Sequence, residues 1–307
     1  MPNAVLGPLF AMIAVTLFSF NDVVMKFISD DYALHQAVLI RSLTGFCITV
    51  GIMAPLMGGF HLLKTDRLGM QSLRAAFVIG ANMNFFLGLA ALPLATNVAI
   101  FFVSQFLVVL ASIIVLGEAV GPRRWLAVFV GMLGVFFVLR PGTETFQWAS
   151  LFPLGAAFCY AGLNIMTRYL KDTENAVNLV FYIQVIFFFF CALVGLAVGD
   201  GKFADQESAS LAFLFREWIW PPLWDWPYLI VIGFFASVGG WFISEAYRIG
   251  EVGLVAPFEY IALPFSVIWG IVLFSEYPDA ITYFGIALIL GAGLFIVLRE
   301  RQLARET

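Results

Sequence analysis

Glu259 is the residue whose type and surroundings most favour binding chemistry. It lies inside an apolar stretch, between Pro257 and Pro264. A proline cannot donate a backbone hydrogen bond, and its ring disturbs the carbonyl four residues earlier, so the carbonyls of Gly253 and Tyr260 are predicted to be free for a ligand. An acidic residue beside a broken helix favours a site for a solute or a coupling ion. The alternative is a neutral glutamic acid that hydrogen-bonds to a neighbouring helix.

Asp22 and Lys26 form a second candidate group in the first apolar stretch. They are four residues apart and therefore share one helix face. One interpretation is an ion pair near the end of this helix. The other is that Asp22 binds a cationic group or carries a coupling proton. The adjacent Asn21 points about 100° away, so we do not expect both side chains to face one cavity.

Arg41 lies inside the second apolar stretch. Its guanidinium cannot lose its proton, so it needs a carboxylate, a carbonyl or an anionic ligand. It is predicted either to pair with Asp22 or Asp31, or to clamp the carboxylate of a substrate.

Neutral polar residues add to these charged groups. Tyr160, Asn164 and Thr167 are spaced four and three residues apart and give one helix a polar stripe. Alone, such residues hydrogen-bond to neighbouring helices, but with the charged groups they predict a polar cavity. The candidate substrate-binding residues are Asp22, Arg41, Asn84, Gln105, Tyr160, Asn164, Gln184, Glu259 and Tyr260. Of these, Glu259 and Asp22 are also the candidates for binding a coupling proton.

The composition indicates the elements that must position these residues. Hydrophobic residues make up 62% of the 307 residues and charged residues only 12%. A bilayer can accommodate that apolar surface, and each span needs about 20 apolar residues. We predict an all-α integral membrane protein with ten spans, at residues 4–28, 34–57, 72–91, 93–116, 123–140, 148–169, 177–199, 226–248, 252–275 and 281–299.

The distribution of Lys and Arg predicts the orientation. With a cytoplasmic N-terminus, eleven basic residues, Arg74 among them, lie on the cytoplasmic side and four lie outside. Cytoplasmic loops carry the excess of Lys and Arg, so both termini are predicted to be cytoplasmic. The long loop at about 200–226 is then external. Its tryptophans, Trp218, Trp220, Trp224 and Trp226, indicate either an interfacial anchor or a lid over an outward-facing cavity.

The two halves of the chain resemble each other. Residues 134–140 read Gly-Val-Phe-Phe-Val-Leu-Arg, and residues 293–299 read Gly-Leu-Phe-Ile-Val-Leu-Arg. Glu118 and Glu276 precede these two helices at equivalent places, and we expect structural roles for both. Each half holds five spans, an odd number, so the second half must be inverted relative to the first. We predict two five-helix repeats, 1–142 and 143–307, around a central cavity.

Several short segments are shared with one family of membrane proteins. They are Leu116-Gly117-Glu118, Phe274-Ser275-Glu276, the Gly131 and Gly134 pair, and Val255-Ala256-Pro257-Phe258-Glu259-Tyr260. At these residues the chain resembles the ten-helix EamA-type branch of the drug/metabolite transporter superfamily. Within it, Asn21-Asp22 and Arg41-Ser42 are similar to the S-adenosylmethionine and riboflavin uptake carriers. Val103-Ser104-Gln105-Phe106 departs from the proline-containing pattern of the family, so contacts of the first half do not transfer directly. The resemblance implies a metabolite carrier of the bacterial inner membrane.

The predicted function is secondary transport by alternating access, with proton coupling as an option. Arg41 opposite Asp22 and Glu259 suits a small polar or zwitterionic solute, an amino acid or a derivative such as S-adenosylmethionine. Export of lipophilic drugs, or of other metabolites such as riboflavin, is the alternative. A membrane-embedded lipid enzyme or a channel is less favoured, because the chain has no catalytic His motif and because a channel usually needs a ring of like groups.

Partners and cofactors follow from the same composition. The two histidines, His35 and His61, belong to no metal-ligand pattern, and we predict no metal and no cofactor. The net charge of -4 and the lack of a basic tract disfavour nucleic acid. The expected partners are a small-molecule substrate and membrane lipids. Gly131 and Gly134 offer a close-packing surface that would serve either packing inside one chain or a homodimer.

Overall fold

The computed structural model describes residues 3–117, 121–143, 146–250 and 255–306, and the regular elements in these ranges are all helices. Seven helices are long and apolar enough to cross a membrane, and three shorter apolar helices, Trp125–Leu139, Phe258–Phe274 and Ala280–Phe295, accompany them. Each of the ten predicted spans coincides with one of these helices. The predicted class, an all-α integral membrane protein, is confirmed.

We number the apolar helices α1 to α10. The first half contains α1 (Asn3–Phe27), α2 (Leu34–Ile48), α3 (Leu68–Ala91), α4 in two pieces (Leu94–Phe101 and Val103–Leu116) and α5 (Pro122–Leu139). A π-helical turn, Thr49–Met53, and the helix Ala54–Met57 extend α2. The second half contains α6 (Leu151–Tyr169), α7 (Ala176–Val198), α8 (Trp226–Ile249), α9 and α10 (Ala280–Glu306). Helix α9 begins as the 3₁₀ helix Ala256–Ile261 and continues as the α-helix Ala262–Phe274.

The helices pack in pairs that recur between the two halves. Helix α1 packs along α8, and α6, its counterpart in the second half, packs along α3. Likewise, α2 packs on α8, and its counterpart α7 packs on α3. Two further pairs join counterparts directly: α2 packs on α7, and α5 packs on α10. A two-fold axis between the halves produces this exchange of partners. Because each half has five helices, the two repeats are inverted with respect to the membrane.

Two helices of the bundle, α4 and α9, are interrupted at equivalent places. Helix α4 is divided at Phe102, and α9 changes from 3₁₀ to α geometry at Ala262. The rings of Phe102 and Tyr260, which lie beside the two breaks, stack with centroids 4.9 Å apart and planes at 17°. The predicted break near Glu259 is therefore confirmed, and Pro264 provides its cause, because it has no N–H to donate to the preceding turn.

We call one end of the bundle the Lys26 end. It holds the end of α1, the start of α2, the α3–α4 connection and the segment 275–279 between α9 and α10. Here Arg140, at the end of α5, forms an ion pair with Asp279, and this hydrogen bond holds the pKa of Asp279 well below its usual range. The pair thereby attaches segment 275–279 to the α5–α10 pair of helices.

The long loop between α7 and α8 also folds over the Lys26 end. A short helix within it, Ala209–Phe215, packs on α3 and α2, and Ser210 Oγ donates to the carbonyl of Leu87 at 2.6 Å. The Trp218 indole N–H donates to His35 at the start of α2. Trp220 remains 85% exposed at the edge of the bundle. The loop therefore fits both interpretations, because its buried side caps the bundle and its exposed tryptophan is placed to meet the membrane surface.

Helices α5 and α10 approach closely at two glycines. A Cβ built on Gly134 would lie 2.6 Å from the carbonyl oxygen of Gly285 and 2.8 Å from the side chain of Ile289. At Gly131 the nearest atom would be the Ala292 Cβ, at an ordinary 3.6 Å. The surface formed by Gly131 and Gly134 thus packs inside the chain.

We expect Gly134→Ala to destabilise the protein, because the added methyl group forces the two backbones apart. The cost should be about 1–3 kcal/mol, the usual range for overpacking a close contact. Thermal unfolding in lipid nanodiscs measures it, with Gly131→Ala as the matched control that should leave the unfolding temperature unchanged. Equal unfolding temperatures for both variants would contradict this packing.

Candidate functional site

A cavity lies between the two halves and is lined by all the membrane helices except α5 and α10. It encloses about 1270 Å³ of empty space, counting its open mouth. Its wall is mainly apolar, with five phenylalanines, Phe18, Phe85, Phe86, Phe101 and Phe102. Four acidic or basic side chains, Asp22, Arg41, Arg74 and Glu259, also line it. Such a cavity combines flat apolar surfaces with a few charged groups, as sites for small metabolites do.

Three hydrogen-bond donors converge on the carboxyl group of Glu259. Tyr160 donates to Oε2 at 2.6 Å, Gln105 donates to the same oxygen at 3.3 Å, and Tyr247 donates to Oε1. The donors come from α6, α4 and α8, so one carboxyl group joins helices of both halves, and only 4% of Glu259 is exposed. An ionised carboxylate accepts all three bonds, whereas a protonated carboxyl must use one oxygen as a donor. Protonation would therefore rearrange contacts between the halves.

The backbone around Glu259 corrects one expectation. The backbone N–H of Ala262, at the end of the 3₁₀ helix, donates to the carbonyls of Glu259 and Tyr260, so the prediction of a free Tyr260 carbonyl was wrong. The 3₁₀ turn supplies donors that an α-helix interrupted by Pro264 lacks. Gly253, the other predicted carbonyl, lies outside the described residues, as does Glu118.

The predicted ion pair between Asp22 and Lys26 was also wrong. Lys26 instead pairs with Glu276, with Nζ 2.8 Å from Oε1. Asp22 receives a hydrogen bond from Asn21 at 3.3 Å, and both side chains line the cavity. We had expected them to face different directions, but the cavity is wide enough to meet two adjacent sides of α1.

Arg41 keeps hydrogen-bonding capacity in the cavity wall. It is 5% exposed, and its guanidinium lies between the rings of Phe86 and Phe187, at 5.4 and 5.3 Å from their centroids. One nitrogen, Nη2, donates to Asn82 at 2.9 Å, whereas the buried Nε has no hydrogen-bond partner. Within the described residues Arg41 forms no ion pair, so the predicted pairing with Asp22 or Asp31 was wrong. Cation–π contacts with the two rings stabilise the buried guanidinium in part, as a carboxylate partner would otherwise do.

The position of Arg74 differs from the one predicted from the sequence. We had counted it among the cytoplasmic flanking cations, but it is 2% exposed and lines the cavity. Its three nitrogens donate to Thr167 Oγ1 at 2.8 Å, the Leu179 carbonyl at 3.0 Å and Ser244 Oγ at 3.0 Å. It thus ties α3 to α6, α7 and α8 at the end opposite Lys26, which we call the Arg74 end. The polar stripe that contains Thr167 was the available signal.

The nine predicted site residues divide into two groups. Five line the cavity: Asp22, Arg41, Tyr160, Gln184 and Glu259. The other four, Asn84, Gln105, Asn164 and Tyr260, lie outside its lining, although Gln105 contacts Glu259 directly. Asn84 donates to the Gly80 carbonyl of its own helix at 2.8 Å. Gln184 depends on Gly45 of α2, because a Cβ there would lie 2.4 Å from its amide nitrogen. Across the described ranges, no group of His, Cys, Asp and Glu could hold a metal ion.

The comparison with protein families agrees with this arrangement of two repeats. The model of the EamA-like transporter family matches residues 5–140 and again residues 147–298. The chain belongs to the EamA-like transporter family. Both matches together cover most of this EamA-like transporter, and the resemblance proposed from the sequence is confirmed.

The relatives of this EamA-like transporter are carriers of small molecules. It is 29% identical over 262 residues to the riboflavin transporter of Brucella anthropi, which covers 85% of this chain and 88% of the relative. It is 24% identical over 293 residues to the S-adenosylmethionine uptake transporter of Rickettsia prowazekii, covering 95% and 92%. It is therefore a small-metabolite transporter rather than an enzyme, and a multi-pass protein of the bacterial inner membrane.

A solved structure shows the same fold. A crystal structure of a protein with 18% sequence identity superposes with a TM-score of 0.70 and covers 97% of this chain and 98% of that chain. At this level of identity the likeness extends to the fold alone.

We expect Arg74→Lys to destabilise the protein by about 3 kcal/mol or more, because one ammonium group cannot reach acceptors on three helices. Thermal unfolding measures the loss. Arg248→Lys is the matched control, since Arg248 is 31% exposed and pairs with Glu245 within α8, where an ion pair contributes about 0–1 kcal/mol. Equal unfolding temperatures of the Arg74→Lys and Arg248→Lys variants would show that the contacts of Arg74 do not stabilise the protein.

Proposed function

We propose that this EamA-like transporter is a secondary carrier of a small zwitterionic metabolite and works by alternating access. Two repeats, residues 1–142 and 143–307, would rock around the cavity between them. One observation carries the proposal: Asp22 and Arg41 line the same cavity, yet the described chain contains no ion pair between them. A solute that carries an ammonium and a carboxylate group would satisfy both.

The charges of the two groups explain why a zwitterion is preferred. Arg41 has one protein acceptor, Asn82, and a buried Nε without a partner, so a carboxylate would complete its hydrogen bonds in the bidentate geometry that guanidinium favours. Asp22 has a single hydrogen bond at 3.3 Å, from Asn21, and can accept an ammonium group. Burying either charge with incomplete partners is costly in a membrane, and a bound zwitterion removes that cost at both ends.

The aromatic wall favours a flat apolar part in the same solute. S-adenosylmethionine, the solute named for the Rickettsia relative, carries an amino-acid group and a planar base, so it can use Asp22, Arg41 and the phenylalanines together. Riboflavin, the solute named for the Brucella relative, has a planar ring system but no charged group. It is the second candidate, supported by the aromatic rings of Phe85 and Phe101 in the wall.

We propose Glu259 as the residue that couples transport to protons. Its three donors come from helices of both halves, so gain of a proton changes the contacts that hold the halves together. Asp22 is the second candidate, because it lines the same cavity and has fewer hydrogen bonds to the protein. A carboxyl group whose protonation changes helix contacts can link a proton gradient to the rocking motion.

The proposal includes an orientation. The excess of Lys and Arg places both termini in the cytoplasm, so the Lys26 end would be periplasmic and the Arg74 end cytoplasmic. The exposed Trp220 of the α7–α8 loop would then lie at the periplasmic surface of the inner membrane, in contact with lipid headgroups. A homodimer stays a prediction: Gly131 and Gly134 pack on α10, so a second copy would have to use another surface.

A thermal-shift screen of the purified protein tests the substrate class. The probes are S-adenosylmethionine, riboflavin, amino acids and polyamines, each at pH 6 and pH 8. A ligand at a hundredfold excess over its dissociation constant stabilises the folded state by about 2.7 kcal/mol. We expect a pH-dependent shift with S-adenosylmethionine, and a shift with riboflavin or polyamines alone would contradict the zwitterion.

Variants of Asp22 and Arg41 sharpen this screen. Asp22→Asn and Arg41→Lys should each weaken binding of a zwitterionic ligand about tenfold or more, because each loses a charge-assisted contact. Riboflavin, which has no charged group, should bind both variants about as well as wild type. Unchanged affinity of the zwitterion in both variants would remove these two residues from the site.

We expect Glu259→Gln to fold and insert normally but to lose transport, or to lose its dependence on pH, since the amide keeps the shape and cannot titrate. Uptake into proteoliposomes at several pH values measures this effect. The control is Glu245→Gln, because Glu245 pairs with Arg248 away from the cavity and should leave the pH profile unchanged. Wild-type transport at every pH in the Glu259 variant would exclude it as the coupling residue.

A further inference from the structure

The ion pair between Lys26 and Glu276 joins three separate parts of the Lys26 end. Lys26 Nζ lies 2.8 Å from Glu276 Oε1 and donates to the carbonyls of Leu89 at 3.2 Å and Leu92 at 2.7 Å. The other carboxylate oxygen, Oε2, accepts the backbone N–H of Leu94 at 2.7 Å. The pair thus connects the end of α1, the α3–α4 connection and segment 275–279, and it links the two halves.

The helix ends around this pair explain why it is favourable. The carbonyls of Leu89 and Leu92 belong to the negative end of α3, where a cation is stabilised. The N–H of Leu94 belongs to the positive end of α4, where an anion is stabilised. Lys26 and Glu276 are only 13% and 22% exposed, so solvent screens the contact little. Leu94 also lines the cavity, which places the pair directly beside it.

Lys26 has a second carboxylate within reach along its own helix. Asp22 lies four residues earlier on the same face of α1 and, in this structure, receives one hydrogen bond, from Asn21 at 3.3 Å. An acidic residue four positions before a lysine is the favoured order for a helical ion pair. A rotation of the flexible lysine side chain therefore exchanges one carboxylate for the other. The two partners differ in one respect: Glu276 is on the second half, and Asp22 is not.

We propose that Lys26 alternates between Glu276 and Asp22, and that this exchange closes and opens the Lys26 end of the cavity. With Lys26 on Glu276, segment 275–279 is held against α1 and the α3–α4 connection, as in this structure. With Lys26 on Asp22, the link between the halves is released. The Arg140–Asp279 pair stays intact in both states, because it attaches the segment to helices α5 and α10.

The exchange gives the solute a means to close the cavity behind itself. An ammonium group bound at Asp22 occupies the place that Lys26 takes in the open state. Lys26 must then return to Glu276, and closure follows occupation of the site. An empty site leaves Asp22 available again, so Lys26 can exchange between the two carboxylates and the same end can reopen. The mechanism rests on the alternating access proposed above and assigns Asp22 a cationic group of the solute.

Distances between spin labels at the Lys26 end test the exchange without solute. Cys47, Cys159 and Cys191 are first replaced by alanine. Labels are then attached at Asp30→Cys, which follows α1, and at Tyr277→Cys, in segment 275–279; both positions are exposed. Pulsed electron resonance on protein in nanodiscs gives the distance distribution. We expect Glu276→Gln to raise the ratio of long to short distances about tenfold, because one charge-assisted contact is lost.

The double variant decides between exchange and simple loosening. In Glu276→Gln with Asp22→Asn, Lys26 loses its second carboxylate and is left with the amide oxygen introduced at position 276 as its side-chain partner. We therefore expect the short distances of wild type to return. Asp279→Asn is the matched control: it breaks the other ion pair of the same segment, and its distribution should not change when Asp22→Asn is added. An unchanged distribution in Glu276→Gln, or equally long distances in the single and double variants, would overturn the proposal.

A further variant covers a failure of Glu276→Gln to fold. In Lys26→Gln no cation remains to be exchanged, so adding Asp22→Asn should leave the distance distribution as it is. A clear effect of Asp22→Asn in that background would also overturn the proposal. Because these measurements need neither solute nor transport, they can fail while the ligand screen succeeds, and the screen can fail while they succeed.

Discussion

The structure depends on one constraint: a charged side chain at bilayer depth must find its hydrogen-bond partners within the protein, because lipid tails offer none. Glu259 and Arg74 meet it fully, one with three donors and the other with three acceptors. Each set of partners comes from three different helices. These two residues therefore hold the helices in the positions that create the cavity between them.

Asp22 and Arg41 meet the same constraint only in part. Both line the cavity with fewer hydrogen-bond partners than Glu259 or Arg74 have, and the part of the chain that the structure describes contains no ion pair between them. This difference separates groups that build the fold from groups that can serve a ligand. The neighbouring aromatic rings lower the free-energy cost of burying the Arg41 charge but do not provide its missing hydrogen-bond acceptors.

The inverted repeat explains why the charged groups meet at the centre. The breaks in α4 and α9 lie at equivalent places, and the stacked rings of Phe102 and Tyr260 join them. Helix breaks give backbone and side chains directions that a regular helix would not allow, and the two-fold relation brings them face to face. The equivalence is incomplete, because Gln105 of the first half supports the single carboxyl group of Glu259. Because the two halves differ here, Glu259 is the one carboxyl group of the cavity, among the described residues, that receives hydrogen bonds from three side chains.

The sequence by itself determined the ten apolar helices, the all-α membrane class, the inverted repeat and the break beside Glu259. Each of these follows from a short stretch of chain, through apolar length, an odd number of spans per half or a proline. Partner choice was decided only by the tertiary structure. Lys26 has Asp22 one turn away, yet folding brings Glu276 and two helix ends beside it, and their combined field outweighs a local pair. Arg74 resembled a flanking cation because hydropathy is read along the chain, whereas its three acceptors lie on helices that meet only in the fold.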